Sequence, residues 1–358
     1  ARAVYDSLAS VHPNDPEPAL AAAATYEYTD SLGRAAEAYR TVTASFPDRV
    51  EPLQALATVV MQQAQEDGTH WPDVLDVHRK LASEAYGRRR AEALSGVGKA
   101  HEALGHPDAA RSAYREALDA DDETTWAHYR LAALGEAPSG PSSRTESLSH
   151  AEQALRLVLR QAEDTQSQMM GTLRETGLPR PSDRNVYLRA QAASDLAAEI
   201  FTFFGDRFPL EQTEPVILDV LDTYDASGRL LYLTGRYYGA HDRDADALRY
   251  FEQATREAPD LRDAHLALGL HHADAGRTRA AMLSYERALG ADEQHPDAYR
   301  ALISLYREQG QLDQLVRRWQ SRLRATPAND VLREHLVDAL HRAGRHDEAR
   351  AIAAGNAG

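Results

Sequence analysis

An all-α superhelix of stacked helix pairs is the fold class that this 358-residue sequence predicts. Three observations carry the prediction. First, the chain repeats itself: Ala1, Tyr5 and Pro13 recur as Ala35, Tyr39 and Pro47, and Tyr238, His272, Tyr306 and Leu340 stand in the same 34-residue register. Fixed self-similarity at 20–50 residues marks a solenoid, whose length follows unit count rather than core size. Second, apolar residues within a unit recur every three or four positions, which is the helical period. Third, Gly276, Gly310 and Gly344 fall between two such stretches, with Asp242 at the same place, while Pro259 and Pro327 close their units. Glycine suits the left-handed residue that ends a helix, and proline cannot continue one.

The elements follow in order. Residues 1–10 occupy the positions of a second helix, with Ala1, Tyr5, Leu8 and Pro13 in register, so the chain opens on the back half of a unit. Regular units follow over 16–134. The second of them is lengthened after Ala64 by "QEDGTHWPD", where Gly68 and Pro72 break the helix and leave Trp71 near a loop. An N-terminal array is expected over 1–135. "EAPSGPSSR", residues 136–144, reads as a linker. Beyond it Leu148, Ala151, Leu155, Val158 and Ala162 form an apolar stripe on one long helix. "TGLPRPSD", 176–183, breaks the chain again. A second long helix over 185–204 carries Val186, Ala193, Leu196, Ile200 and Phe203 on one face, and a shorter one spans 213–227. Residues 136–227 are thus a linker with irregular helices, and the regular array resumes over 228–358.

The motif resembles the tetratricopeptide repeat family. Gly98, Gly105, Ala110, Tyr114 and Ala117 hold the family positions in one unit, and Gly235, Tyr238, Ala247, Phe251, Ala254 and Pro259 hold them in another. The small positions let the two helices of a unit cross closely. In the unit 296–329, Ile303 and Leu315 stand at both close-contact positions and Arg322 at the third. This helix pair is expected to be splayed, unless Trp319 and its neighbours repack. The resemblance implies a right-handed superhelix whose first helices line a groove for an extended peptide or a partner helix. Carried onto this sequence, the groove positions include Arg229, Tyr232, Arg236, Asp263, Leu266, Leu270, Asp297, Arg300, Ser304, Arg307, Glu334, Asp338 and His341. One subgroup of the family clamps a C-terminal carboxylate with Asn and Lys; this groove has neither in the C-terminal array. Arg229, Arg236, Arg300 and Arg307 are instead suited to acidic side chains through bidentate contacts, or else to pairing with Asp263, Asp297 and Asp338.

Composition narrows the function. Asp and Glu outnumber Lys and Arg 55 to 40, a net charge of −15, and no basic face is expected for nucleic acid. The acidic balance suits basic partner surfaces or a well-solvated exterior. Lys80 and Lys99 are the two lysines; together with few Asn and Ile this points to a GC-rich, bacterial source. With no cysteine, disulfides, thiolate metal sites and thiol catalysis are excluded. No run reaches the ~18 apolar residues of a membrane span. The first residue is Ala, which a cleaved signal or trimming explains, and the envelope or the exterior is favoured over the cytoplasm.

No motif for chemistry survives inspection. "GVGKA", 96–100, lacks the earlier glycine and preceding strand of a phosphate loop. His265, His271 and His272 lie close together, but 265 and 272 are two turns apart, whereas zinc-binding helices favour a four-residue spacing. Neither catalysis, a metal nor a cofactor is expected. "FTFFGDRFP" gathers Phe201, Phe203, Phe204 and Phe208, four of the six phenylalanines, and reads as a packed hinge, a pocket for an apolar partner side chain or a membrane wedge. The expected role is a non-catalytic scaffold or adaptor in a bacterial multiprotein assembly. Two alternatives stand beside it: a structural subunit that joins end to end into a filament, and an accessory domain of a longer protein.

Overall fold

The computed structural model describes the backbone of residues 2–29, 31–135, 141–176, 183–224 and 227–355. Residues 136–140 and 177–182, most of the two proline-rich breaks, lie outside the described residues, as do Ala1 and the side chain of Val186. Among the described residues the secondary structure is helical throughout, α1 to α19. The chain divides into two compact units, Ala1–Ile200 and Phe201–Gly358.

The first unit is built from α1 (Arg2–Val11), α2 (Pro16–Glu27), α3 (Leu32–Ser45), α4 (Val50–Asp67), α5 (Trp71–Glu84), α6 (Gly87–Ala103), α7 (Pro107–Ala120), α8 (Thr125–Ala133) and α9 (Pro141–Thr176). Each helix packs on the next in sequence. Gly68 ends α4 in the left-handed conformation, φ 72°, and Pro72 sits in the first turn of α5. The lengthened turn therefore breaks where the sequence places the break, and Trp71 packs back on the core. α9 begins at Pro141, inside the stretch read as linker, because proline is tolerated in the first helical turn. Its stripe of Ala151, Ala154, Leu155 and Val158 is buried, and α9 lies along α8.

α10 (Asp183–Arg207) carries the division between the units. At its end Phe201, Phe204 and Phe208 are buried, and Phe203 is half-buried with its ring 5.6 Å from that of Phe208. Three of the four rings are thus interior. α11 runs over Leu210–Thr223 rather than 213–227, since Pro209 stands as its N-cap and the chain turns extended at Tyr224.

The second unit continues as four pairs: α12 (Gly228–Ala240) with α13 (Asp244–Glu257), α14 (Arg262–Asp274) with α15 (Thr278–Ala291), α16 (Pro296–Glu308) with α17 (Leu312–Ala325), and α18 (Asp330–Arg342) with α19 (His346–Ala353). Asp242 takes φ 57° at the turn where the next pair has Gly276 at φ 69°. Aspartate tolerates this conformation better than most side chains.

Close crossing of the two helices rests on one contact. A Cβ built on Gly98 would lie 2.5 Å from the Tyr114 ring, one on Gly235 2.6 Å from Phe251, and one on Gly269 2.5 Å from Tyr285. Nothing larger than hydrogen fits beneath these rings. In the third pair the same positions are Ile303 and Trp319. Both are buried, with Leu315, and the indole turns edge-on to Tyr299 at 5.1 Å. α16 and α17 approach far less closely than α12 and α13 or α14 and α15. The pair is splayed, as its side-chain volumes require.

A second device repeats in the first unit. The Tyr39 hydroxyl donates to Glu27, and Tyr114 donates to Glu102 at 2.5 Å, each carboxylate standing 12 residues before its tyrosine. Arg130 from α8 grips the same Glu102, with Nε at 3.0 Å, so one carboxylate ties three helices. Burial first and the carboxylate second push both phenols well above the ordinary tyrosine range.

Glycine at the crossing yields a prediction. Gly235→Ala should cost about 1–3 kcal/mol by overpacking the Phe251 ring. Gly290→Ala, on an exposed face of α15 with nothing within 4 Å, should instead stabilise by about 0.4–1 kcal/mol. Urea unfolding of the two variants checks this, and equal effects would contradict the steric account.

Candidate functional site

The first helices of three successive pairs enclose a cleft of about 620 Å³ in the second unit. α14 supplies its floor. Leu266, Leu270 and Asp274 follow one another at four-residue intervals and so share one helix face. α12 contributes Tyr232 and Arg236, and α16 contributes Asp297 and Ala301. Phe251 and Tyr285, the rings that seat on Gly235 and Gly269, reach the cleft from behind. Leu270 is 55% exposed, so a large apolar side chain stands open to solvent in the cleft.

Electrostatics organise the wall. Arg229 donates to Asp263 at 3.1 Å and lies 5.6 Å from the Tyr232 ring centre. Arg262 holds the other oxygen of Asp263 at 2.7 Å and reaches Asp292 at 2.7 Å. Burial raises the Tyr232 phenol above its ordinary value, against the opposing influence of Arg236. Asp297 is held by Arg300 at 2.8 Å. Among the described residues Arg236 has no carboxylate partner.

Of the residues expected in the groove, Tyr232, Arg236, Leu266 and Leu270 come together in this cleft. Arg229 is committed to Asp263 in its wall. Arg300, paired along its own helix, and the exposed Arg307 are not lining residues. Asp338 is held by Arg342 at 2.9 Å. Asp274 belongs to the site although the sequence reading passed over it; a step of four from Leu270 was the signal that would have found it.

The three neighbouring histidines go separate ways. His265 is buried and donates Nε2–H to the Pro259 carbonyl at 2.9 Å. His271 faces the Phe251 ring at 5.3 Å in the cleft, and His272 Nδ1 accepts from Arg277 at 3.0 Å. No group of three or more metal-ligating side chains assembles among the described residues. "GVGKA" lies within α6, where Gly98 is the close-crossing residue and Lys99 stands 4.2 Å over the Trp126 ring. No helix among the described residues is long and apolar enough to cross a membrane.

The first unit holds a second cleft, of about 500 Å³, lined by Gln54, Thr58, Met61, Gln62, Gln65 and His78 among others. The same 34-residue register that marks the groove in the second unit would have found it here. His78 is buried against Gly96 and donates Nδ1–H to the Val74 carbonyl at 3.0 Å.

The tetratricopeptide repeat family matches at residues 91–124 and 232–299. Over 135 residues, 37% of this chain, the sequence is 30% identical to the cellulose synthase operon protein C of Pseudomonas fluorescens (strain SBW25), and it spans 11% of that relative's length. Among solved structures, an assembly chaperone of RpL4 (Acl4) is 17% identical, covering 85% of this chain and 99% of its own at a TM-score of 0.40. The C-terminal part of a repeat-containing protein from Cytophaga hutchinsonii is 13% identical, covering 79% and 99%, with a TM-score of 0.41. A tetratricopeptide repeat protein from Parabacteroides merdae is 14% identical, covering 81% and 98%, with a TM-score of 0.37.

Burial pushes the His78 pKa down from 6.5 to about 4, with Lys99 adding a smaller push the same way. The unfolded chain therefore takes up this proton first as pH falls. The stabilisation is whole above about pH 6.5, declines between there and about 4, and is gone below, a swing of roughly 3 kcal/mol. Thermal melts from pH 7 to 4.5 should show that loss, and His78→Leu should flatten it. An unchanged slope in the variant would remove His78 as its source.

Proposed function

We propose that this tetratricopeptide-repeat protein is a non-catalytic scaffold that holds a partner segment in the cleft between α12, α14 and α16. The observation that carries the reading is Leu270, a large apolar side chain more than half exposed in a walled cleft beside an arginine with no carboxylate partner among the described residues. Burying such a side chain on binding gains about 25 cal/mol per Å² removed from water. Repeats present surfaces of this kind rather than signature chemistry. The setting in this reading is a multiprotein assembly in a bacterium. The Pseudomonas relative's name ties that protein to a cellulose synthase operon, and a polysaccharide-synthesising assembly is one setting the experiment below can identify.

Affinity capture with the whole chain as bait, beside a Leu270→Glu bait, tests the proposal. Because Leu270 is exposed, the variant should fold unchanged by circular dichroism. Proteins retained by the intact chain should fall by about tenfold or more on the variant. The same proteins at the same yield on both baits would overturn the cleft as the binding site.

A second reading, self-association, is favoured by one observation. Val4, Leu8 and Val11 form one exposed stripe on α1, at 61%, 42% and 66% exposure. In the next second helix the residue equivalent to Leu8, Val42, is 6% exposed. If this stripe joins copies of the chain, sedimentation should give a concentration-dependent oligomer that Leu8→Glu returns to monomer. A monomer at all concentrations would end this reading.

A further inference from the structure

We infer that the cleft selects a partner segment in which an apolar residue stands between a carboxylate and a cation, the carboxylate meeting Arg236 and the cation meeting Asp274. This rests on the cleft being the partner site. It adds what the partner must look like.

The basis is the repeat register. Residues 34 apart stand side by side on neighbouring first helices. At the outer position Arg229 meets Asp263, and the two pair at 3.1 Å. Asp263 next meets Asp297, a like charge, and Asp297 turns to Arg300 on its own helix instead. One register further in, Arg236 meets Leu270, which offers no charge. A turn beyond, Asp274 stands between Ala240 and Glu308, and Glu308 accepts from Ser304 on its own helix at 3.0 Å. The pattern that neutralises the outer wall therefore strands one cation and one anion at the cleft. Both are exposed, both line it, and neither has an ion-pair partner among the described residues.

The remaining charged groups do not fill these roles. Asp263 is held by Arg229 and Arg262, and Asp297 by Arg300 with His295 at 3.7 Å. His271 lines the cleft and lies 4.0 Å from Asp244, which does not line it. Leu270, level with Arg236 on the neighbouring helix, leads from that arginine to Asp274, and Leu266 stands one turn to the other side. Leu270 and Asp274 are four residues apart, about 6 Å along the helix. A bound segment thus meets an acid-reading arginine beside its apolar anchor and a base-reading aspartate one helical turn away. A desolvated guanidinium–carboxylate pair is directional and bidentate, so each end specifies sign and position.

The test is selection of a random dodecapeptide display library on the whole chain and on Arg236→Glu, Asp274→Lys and Leu270→Glu. The intact chain should enrich peptides with an acidic, an apolar and a basic residue in fixed order. Arg236→Glu should turn the acidic position basic and leave the other; Asp274→Lys should turn the basic position acidic. A peptide chosen on the intact chain should lose about tenfold in affinity on either variant by fluorescence anisotropy, and the loss should shrink with added salt. If both charge variants select the same peptides as the intact chain while Leu270→Glu selects none, the cleft binds but does not read charge, and this inference falls alone. If peptides bind the Leu270→Glu chain undiminished, or none is enriched over it, the cleft itself is not the site and both readings fall.

Discussion

The three tightest helix crossings depend on an aromatic ring seated on a residue with no side chain. Gly98 under Tyr114, Gly235 under Phe251 and Gly269 under Tyr285 set how far apart the two helices of a pair stand. Packed interiors behave as solids, so a volume set at one contact propagates to its neighbours. The ring cannot sink further, and its far edge must then be met by the next pair. Phe251 and Tyr285 do both: each closes its own crossing and shows an edge in the cleft. The contact that builds the repeat thereby supplies part of the cleft's lining.

The third pair shows what happens when this constraint is released. Ile303 and Trp319 cannot occupy the space of a glycine and a tyrosine. The helices move apart and the indole lies edge-on to Tyr299. The gain is a large buried cluster running through Leu302, Leu315, Val316 and Leu323. A loose crossing with a bulky core and a tight crossing with a small one are two answers to the same packing problem, and the chain uses both.

Much of the fold was legible because repetition writes each position several times. The glycine turns, the lengthened turn at Gly68 and Pro72, and the splay at Ile303 all follow from comparing one unit with the next. Helix ends were less legible: Pro141 reads as linker but opens α9, and the helix expected over 213–227 begins at Leu210 behind Pro209, because proline's two roles differ only in which side the helix lies on. Of the candidate site, Tyr232, Arg236, Leu266 and Leu270 were legible once the groove positions implied by the family resemblance were carried onto the register. What register does not tell is which charges are spent. That Arg229 meets a carboxylate and Arg236 only the Tyr232 hydroxyl depends on what stands 34 residues away and whether the rotamers meet, a property of pairs rather than positions.

That distinction also explains how the chain tolerates stranded charges. An exposed ion pair stabilises a protein by about 0–1 kcal/mol, so leaving Arg236 and Asp274 without an ion-pair partner among the described residues costs the fold very little. The same two groups become consequential once a ligand excludes water from the cleft, because an ion pair strengthens as its surroundings lose dielectric screening. Asp263, held by two arginines, and to a smaller degree Asp297 contribute less in this way. Their charges are already satisfied, and a ligand that claimed one would have to break a bond to form a bond. If the cleft is the partner site, selectivity should concentrate where the repeat leaves charge unspent, with Leu270 of α14 as the apolar contact beside it.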